Sequence, residues 1–397
     1  MFTKKTIRDI DLHEKQVLLR ADYNVPLDDK GVITDDYRIQ QSLPTIQYLL
    51  DQNVKLIICS HLGRPDGKPD PRFSLFPVAK RLKELLKRDV TFAVDCIGER
   101  AEKAANDLSN GQILLLENLR FHPEEEKNDD GFAAQLASLA EVFVQDGFGV
   151  VHRAHASTVA ITHHLPSVAG LLLEKEVDTI TNVMENPARP LVAVIGGAKI
   201  ADKIEIINRF IDIADMVAVG GAMANTFLLS QGIDVAKSLA EPDEIATAKQ
   251  VLERAKQKSA SQPFIFYLPQ DGVVAKSVDK SASTRVVDWS AHVFSEVESY
   301  PKPPEVRYQK LEKDDMILDI GPFAHGTELV IEALMGQFGN RPYSLVGGGD
   351  TVGYVENRQL VGAFNHVSTG GGASLELMAG KDLPGVSALL DKEGGQG

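Results

Sequence analysis

Basic and polar side chains follow the short apolar runs in the N-terminal half of this sequence, at the points where those runs end. They are Asp22 and Asn24 after QVLLR, His61 and Arg64 after LIICS, Arg120 after ILLLEN, and His152 and Arg153 after FVQDGFGV, with Arg38 near a predicted helix start. Arginine presents a planar fork of donors that suits phosphate and carboxylate groups. An isolated arginine or histidine is more simply a solvated or structural side chain, so the shared position of the set carries the prediction of an anion site.

Glycine clusters follow the apolar runs of the C-terminal half, at Gly196-Gly197, Gly220-Gly221, Gly347–Gly349 and Gly370–Gly372. Such glycines let backbone N–H groups approach phosphates, and a helix that starts there adds a partial positive charge. Each cluster is also compatible with a tight turn that binds nothing. The sequence contains no GxxxxGK[ST], GxGxxG or protein-kinase HRD and DFG pair, so a nucleotide site must be built in another way.

The runs that carry these residues alternate with segments of helical periodicity, which predicts an α/β fold with mostly parallel sheets. The predicted strands lie in QVLLRADYNVP, VKLIICSHLG, QILLLENLR, EVFVQDGFG, PLVAVIGGAK, MVAVGGAMA, YSLVGGGDT and HVSTGGGAS. In open sheets of this kind ligands bind beyond the carboxyl ends of the strands, where the basic residues and glycines lie. The strands form two blocks, which predicts two Rossmann-like three-layer domains.

The segment between the blocks, LLLEKEVDTITNVMEN, has helical spacing without proline or glycine, and we predict a hinge helix over 170–186. The first domain is placed at 1–169 and the second at 187–383. The proline-containing segment 299–315 is interpreted as a surface connection.

The composition restricts the possible partners. The chain has 397 residues, of which 43% are hydrophobic and 25% charged, and its formal net charge is −14. Nucleic-acid binding relies on clustered positive charge, so this balance disfavours it, and an anionic ligand must meet a local positive cleft. Without a bilayer-spanning apolar stretch or a secretory signal, we expect a cytoplasmic protein that does not engage membranes. Cys59 and Cys96 lack the spacing of a disulfide framework or a zinc motif.

Four segments of the N-terminal half make the anion site specific. RADYNVP (20–26), SHLGRP (60–65), LLENLRFHPEEE (115–126) and DGFGVVHRAHAS (146–157) resemble, in order, the substrate-binding motifs of the phosphoglycerate kinase family. The resemblance implies that 3-phosphoglycerate is bound by Asp22, Tyr23, Asn24, Arg38, His61, Leu62, Gly63, Arg64, Arg120 and Arg153. The arginines and His61 would hold the 3-phosphate, and Asp22 with Asn24 would position the glycerate. Arg38 would contact the carboxyl oxygen that is phosphorylated.

The glycine clusters resemble elements of the same family. GGAKIADK (196–203) resembles an element with two lysines, which helical spacing would place one turn apart, and VGGGDT (346–351) resembles a phosphate and magnesium loop. STGGGASLE (368–376) resembles a glycine-rich helix start, and VGGAMANTF (219–227) resembles part of an adenine pocket. The resemblance implies nucleotide binding by Lys203, Gly220, Gly221, Gly348, Gly349, Asp350 and Thr351, with Asp350 as the Mg2+ ligand. It implies charge stabilisation during transfer by Arg38, Lys199, Lys203 and the amides near Gly371 and Gly372.

Simpler interpretations of these residues stay open. The two lysines are also compatible with solvated helix positions, and Asp350 with a helix N-cap.

The resemblance implies a reversible, Mg2+-dependent phosphoryl transfer from 1,3-bisphosphoglycerate to ADP, giving 3-phosphoglycerate and ATP, and we expect a monomer. Because the substrate and nucleotide motifs lie in different halves, we expect domain closure about the helix at 170–186. The final residues, 384–397, are expected to pack back on the first domain.

One piece of the family pattern is missing. Between MILDIGP (316–322) and FAHGTELV (323–330) the family has about 30 further residues, the size of one supersecondary unit, with a Trp-Asn-Gly-Pro segment and a ribose-contacting Glu. We interpret this as an omission from the sequence, because true loss of an internal strand would expose sheet edges. A true deletion would favour a catalytically impaired protein that binds a phosphorylated metabolite. A nicotinamide-dependent dehydrogenase is the other alternative, and the absent dinucleotide fingerprint disfavours it.

Overall fold

The computed structural model describes residues 2–279, 281–288, 312–317 and 324–392. The chain forms two compact units, one comprising Met1–Glu185 with Tyr343–Gly397 and the other Asn186–Pro342. Most strand pairs are parallel and helices alternate with the strands, so the predicted α/β class is confirmed. No helix in these described ranges is long and apolar enough to cross a bilayer.

A six-stranded parallel sheet forms the centre of the first unit. Its strands are β1 Gln16–Arg20, β2 Lys55–Cys59, β3 Val90–Phe92, β4 Ile113–Leu115, β5 Val142–Gln145 and β6 Ser167–Ala169, in the order β3-β4-β2-β1-β5-β6. Val17 of β1 lies opposite Leu56 on one side and Val142 on the other. The central strands are buried on both faces, which is why they are near-continuous apolar runs in the sequence.

Helices cover both faces of this sheet. They are α1 Tyr37–Asp51, α2 Phe76–Leu86, α3 Gly98–Asn106, α4 Asp130–Ala137 and α5 Leu171–Glu185. Adjacent strand residues point to opposite faces, so Leu19 joins the core that contains Ile46 of α1, whereas Leu18 joins the core that contains Phe132 of α4. The helix predicted over 170–186 is α5.

The described residues of the second unit form two small sheets. Strands β7 Val192–Ile195, β8 Met216–Val219 and β9 Ile265–Tyr267 are parallel, and β10 Asp271–Ala275 pairs antiparallel with β11 Arg285–Asp288 and β12 Met316–Ile317. The helices are α6 Ile204–Ile213, α7 Gly221–Ser230, α8 Ile245–Ser261 and α9 His325–Leu334. The glycine clusters of this unit follow β7 and β8.

The C-terminal part of the chain packs on the first unit. Its elements are β13 Leu345–Val346, α10 Gly349–Asn357, β14 His366–Val367, α11 Gly372–Met378 and α12 Pro384–Ser387. Glu176 of α5 accepts hydrogen bonds from Thr369 N (2.7 Å) and Thr369 Oγ1 (2.8 Å) and lies 2.7 Å from His366 Nε2. Tyr37 Oη donates to the Val367 carbonyl (2.8 Å).

These contacts explain why Tyr343–Gly397 is grouped with the first unit. The domain that we predicted over 187–383 therefore contains residues of both units. The assignment of a nucleotide-binding domain therefore stays a prediction.

All eight apolar runs chosen from the sequence contain a strand, namely β1, β2, β4, β5, β7, β8, β13 and β14. The segment 299–311 of the predicted surface connection and the junction between Pro322 and Phe323 lie outside the described residues.

Candidate active site

Asp22, Arg38 and His61 meet beyond the carboxyl ends of β1 and β2. Arg38, in the first turn of α1, donates from Nη1 to Asp22 Oδ2 at 2.8 Å, and His61 Nδ1 lies 3.9 Å from Asp22 Oδ1. The Asp22 side chain is only 7% exposed, and this guanidinium supplies the opposite charge with which a buried carboxylate must be paired. Asp22 in turn fixes the guanidinium, which remains 28% exposed and open to an anion.

A glycine turn joins two further residues of the site. Gly63 N donates to Asn24 Oδ1 (2.8 Å), and the Gly63 carbonyl accepts from Arg120 Nη1 (2.8 Å). Gly63 has φ +61° and a Cβ there would collide with the Phe73 ring, so this position requires glycine. The turn therefore holds Asn24 and Arg120 in one local network.

The histidine of the site is neutral at physiological pH. Burial lowers the pKa of His61 well below its usual range, and the nearby charges of Arg20, Arg120 and Arg38 lower it further. His61 Nδ1 lies 3.4 Å from Arg20 Nη2. Because a guanidinium can only donate, Nδ1 is the acceptor and the ring proton is on Nε2. His61 can therefore donate from Nε2 to a phosphate oxygen.

A buried polar network beneath the site was missed by the sequence reasoning. Arg20 is 1% exposed and donates from Nε to Ser157 Oγ (2.8 Å), while Glu125 accepts from Ser157 Oγ (2.6 Å) and Ser157 N (2.9 Å). Burial raises the pKa of Glu125, and burial together with Arg20 lowers the pKa of His155 to about 4. All four residues lie inside the quoted motifs, but their types alone do not reveal burial.

Four predicted site residues lie apart from the cluster of Asp22, Arg38 and His61. Tyr23 and Leu62 are buried, and Tyr23 Oη lies 3.0 Å from Ser42 Oγ in the core. Arg64 and Arg153 are exposed at the surface, and Arg153 Nε donates to His152 Nε2 (3.1 Å). The structure thus joins Asp22, Asn24, Arg38, His61, Gly63 and Arg120 through direct contacts, leaves two arginines on the surface and turns two side chains inward.

The glycine loop before α10 carries the predicted metal ligand. Gly348 is the N-cap residue, while Asp350 and Thr351 are exposed in the first turn, so the interpretation of Asp350 as an N-cap is wrong. Mg2+ in nucleotide sites is commonly held by one or two carboxylates together with substrate phosphates and water. A single exposed carboxylate at this helix start fits that mode of binding.

The second glycine-rich turn lies beside the substrate motifs. Gly371 is the N-cap residue of α11, and a Cβ on Gly372 would lie 3.3 Å from His152 Nε2. A Cβ on Gly149 would lie 3.3 Å from the Thr369 carbonyl. The turn predicted to face the transferring group is therefore adjacent to the DGFGVVHRAHAS segment.

The two lysines of the second unit do not share a helix, which corrects the expected spacing. Lys199 lies in an exposed loop, and Lys203 is the N-cap residue of α6, which begins at Ile204. In this lysine loop (199–203), Ile200 N donates to Glu241 Oε2 (2.6 Å). The amide is thus satisfied by a side chain and not by a backbone carbonyl, as it would be inside a helix.

Gly197, which precedes this loop, packs against Gly221 at the start of α7. Gly197 O accepts from Met223 N (2.9 Å), and a Cβ on Gly221, which has φ +66°, would lie 2.9 Å from Gly197 N. Gly220 is the N-cap residue of α7. A Cβ on Gly197 would lie 3.6 Å from Lys203 Cε. Gly197 therefore lies next to the start of α7 and next to Lys203 at the start of α6.

The sequence model of phosphoglycerate kinase matches residues 7–381, nearly the whole chain. The chain belongs to the phosphoglycerate kinase family. It is 46% identical to phosphoglycerate kinase of Moorella thermoacetica over 399 residues, which cover 98% of this chain and 100% of that relative. The enzyme of Chloroflexus aurantiacus is also 46% identical, over 402 residues, with the same coverage. The chain is accordingly a kinase, that is, a phosphotransferase.

Solved structures of the family have the same fold. Phosphoglycerate kinase from Coxiella burnetii is 34% identical with a TM-score of 0.75, covering 97% of this chain and 98% of that one. The enzyme from Pyrococcus horikoshii is 28% identical with a TM-score of 0.75, covering 98% of each chain.

The length of one relative bears on the segment that we expect to be missing near Pro322. The alignment with the Moorella thermoacetica enzyme contains all of that relative within 399 positions, and this chain has 397 residues. This chain is therefore not about 30 residues shorter than that relative in total. The absence of about 30 residues at the junction itself stays a prediction, because total length does not locate insertions and deletions along the chain.

Proposed function

We propose that this protein transfers a phosphoryl group reversibly from 1,3-bisphosphoglycerate to Mg-ADP, giving 3-phosphoglycerate and ATP, as a step of glycolysis. The bond between phosphorus and the carboxyl oxygen breaks, and a bond between phosphorus and a terminal oxygen of ADP forms. The observation that carries the proposal is the cluster of Asp22, Arg38 and His61 in a family member whose net charge is −14. Arg120 is linked to this cluster through Gly63 and Asn24. A strongly acidic chain needs such a local positive cluster to bind an acidic metabolite.

The substrate half of the reaction needs positioning more than covalent chemistry. The carboxylate that accepts the phosphoryl group in the ATP-consuming direction is already ionised, so no general base is required. His61 and the arginines hold the 3-phosphate, Asp22 and Asn24 position the glycerate, and Arg38 compensates charge at the reacting carboxyl oxygen. Arg38 is suited to that role because Asp22 orients its guanidinium while leaving it partly exposed.

The nucleotide half is assigned to glycine-rich turns and lysines. Asp350 would hold Mg2+, which neutralises charge on the phosphate oxygens when bound. The residues that would contact nucleotide or compensate the transferring charge are Lys199, Lys203, Gly220, Gly221, Gly348, Gly349, Thr351, Gly371 and Gly372. The exposed Lys199, the half-buried Lys203 and backbone N–H groups at helix starts are the donors that such a role requires.

A coupled assay of ATP formation from 1,3-bisphosphoglycerate tests this proposal. We expect Arg38→Ala and Lys203→Ala each to lower kcat by about 100- to 1,000-fold, as does loss of one charge-stabilising donor in other enzymes. Arg72→Ala and Lys256→Ala remove exposed cations of the same types outside the proposed site and should leave kcat unchanged. Full activity in both site variants would overturn the assigned transfer residues.

Binding and thermal-stability measurements beside this assay distinguish the kinase from the phosphometabolite-binding relative and from the dehydrogenase. Wild-type protein that binds 3-phosphoglycerate without turnover would be the phosphometabolite-binding relative and would contradict the kinase reaction. Thermal stabilisation by NAD but not by Mg-ADP would support the dehydrogenase instead.

A further inference from the structure

Asp95, Cys96 and His122 form a cluster of ligating side chains that the proposed reaction does not use. Their ligand atoms all lie within 4.8 Å of one another, and His122 Nε2 is 2.8 Å from Asp95 Oδ1. Cys96 is 1% exposed, whereas the side chains of His122 and Asp95 are 27% and 41% exposed. The cluster is therefore anchored in the core on one side and reached by solvent on the other.

Two segments supply the ligands of the cluster, and α4 packs against them. Asp95 and Cys96 lie between β3 and α3, and Asp95 Oδ1 accepts from Cys96 N (2.8 Å). His122 is the C-cap residue of the short 3-10 turn Leu119–Phe121, and its ring centroid lies 5.5 Å from that of Phe132. Cys96 belongs to the same core as Phe132. The three ligands are thus set by packing before any ion binds.

The donor set selects a thiophilic ion. Thiolate, imidazole and carboxylate are the three ligand types that Zn2+ takes, and three protein ligands leave a fourth tetrahedral position for water. With metal–ligand distances of about 2.0–2.3 Å, neighbouring ligand atoms of a tetrahedral site are about 3.3–3.7 Å apart. The 2.8 Å pair and the 4.8 Å outer limit lie on either side of that spacing, so small side-chain shifts suffice. Mg2+ prefers oxygen ligands and is a poor match.

We propose that Asp95, Cys96 and His122 form a binding site for Zn2+, with water as the fourth ligand. The ion replaces the hydrogen bond between His122 and Asp95, and the thiol proton of Cys96 leaves to solvent as the metal–sulfur bond forms. The sequence does not reveal the site because its histidine is on a different element from the cysteine.

Titration of the full chain with Co2+ alone, without nucleotide, tests the site directly. We expect one equivalent of Co2+ to give a near-ultraviolet thiolate-to-cobalt charge-transfer band that Zn2+ removes by competition. Cys96→Ser should abolish the band, and Cys59→Ser, which alters the other buried thiol, should retain it. His122→Asn and Asp95→Asn should weaken Co2+ binding by more than about 10-fold.

A second measurement covers variants that fold poorly. Zn2+ should raise the thermal midpoint of the wild type relative to chelator-treated protein, and His122→Asn, a change at a partly exposed position, should remove this increase. Absence of a thiolate band at one equivalent, or equal Co2+ affinity in the wild type and Cys96→Ser, would overturn the proposal. Retention of binding in Cys96→Ser with loss in His164→Ala would assign the ion to the surface pair of Asp130 and His164 instead.

Discussion

At the scale of single residues, Asp146 connects the end of β5 to the start of α5. It is 1% exposed, and its Oδ1 accepts from Leu172 N (2.9 Å) and Leu173 N (3.2 Å). Burial raises the pKa of Asp146 from 3.8 to about 7, against the lowering effects of the Thr45 hydroxyl and these two amides. The carboxyl group therefore keeps its proton in the folded chain at pH values where the unfolded chain loses it.

This difference predicts a stability that falls with rising pH. Between about pH 4 and pH 7 the folded state holds one more proton at Asp146, so the free energy of unfolding decreases by at most about 4 kcal/mol across that window. Asp146→Asn cannot ionise and should lack this contribution. Urea unfolding followed by circular dichroism, at several pH values across the window, would measure it. Parallel stability curves for the two proteins would show that Asp146 does not titrate in this way.

His61 gives a second prediction at this scale, which concerns substrate binding. Its Nε2 is the donor, so His61→Gln, whose side-chain amide reaches a similar position, should bind 3-phosphoglycerate better than His61→Asn. We expect the Asn variant to lose at least about 10-fold in affinity, the value of one hydrogen bond to a charged group. Calorimetric titration with 3-phosphoglycerate measures this, and equal affinities of the two variants would remove the assigned donor.

The residue types of the site are visible in the sequence, but the contacts among them are not. Asp22 and His61 are predictable because they follow apolar runs, and Arg38 because it lies near a predicted helix start. The structure joins all three. The burial of Arg20 and Glu125 is not predictable from the sequence, because a charged residue usually lies at the surface and only tertiary packing shows that these two are buried.

At the scale of elements, the lysine loop before α6 depends on a side chain from a distant segment. Glu241 Oε2 accepts from Ile200 N (2.6 Å), and Glu241 N donates to Thr226 Oγ1 (3.0 Å) of α7. Ile200 is fully buried between the two lysines of the loop. Loss of the Glu241 carboxylate would leave that amide without its acceptor, at a cost of about 1–3 kcal/mol.

We expect Glu241→Ala to lower kcat of the proposed kinase while leaving the KM for 3-phosphoglycerate unchanged, because the proposed substrate residues lie in the other compact unit. Glu241→Gln keeps an acceptor oxygen and should restore most of the activity. Asp243→Ala, an exposed acidic position nearby, serves as the matched control. Steady-state kinetics would measure the separation of kcat from KM, and wild-type kinetics in Glu241→Ala would contradict it.

The strands of the chain were predictable from the sequence, but the conformation of the lysine loop was not. Strands such as β1 and β5 were predictable because a parallel strand covered on both faces must be apolar throughout. The non-helical path from Lys199 to Lys203 was not predictable, because it involves Glu241, about forty positions away along the chain. The Glu241 carboxylate accepts from Ile200 N, and such side-chain acceptors compete with helical hydrogen bonds.

At the scale of the whole molecule, the two ends of the described chain are paired with each other. Lys5 N donates to Leu390 O (2.7 Å), and Lys392 N donates to Thr3 O (2.9 Å). Leu390 N also donates to Ser167 O of β6 (3.0 Å), which ties the C-terminal segment to the edge of the parallel sheet. Such long-range pairing has no local signal in the sequence, and the same holds for the grouping of Tyr343–Gly397 with the first unit.

Removal of residues 383–397 should therefore destabilise the first unit as a whole. The truncation deletes Leu383 and Leu389, each 3% exposed, and burial of two leucines contributes about 3–6 kcal/mol. Asp391→Asn removes only the ion pair with Lys4 (2.7 Å), in which the Asp391 side chain is 69% exposed, so it should cost less than about 1 kcal/mol. Urea unfolding with amide hydrogen exchange would localise the loss of protection to β1, β5 and β6. Equal stabilities of the truncated chain and Asp391→Asn would show that the apolar contacts of this segment do not hold the two chain ends together.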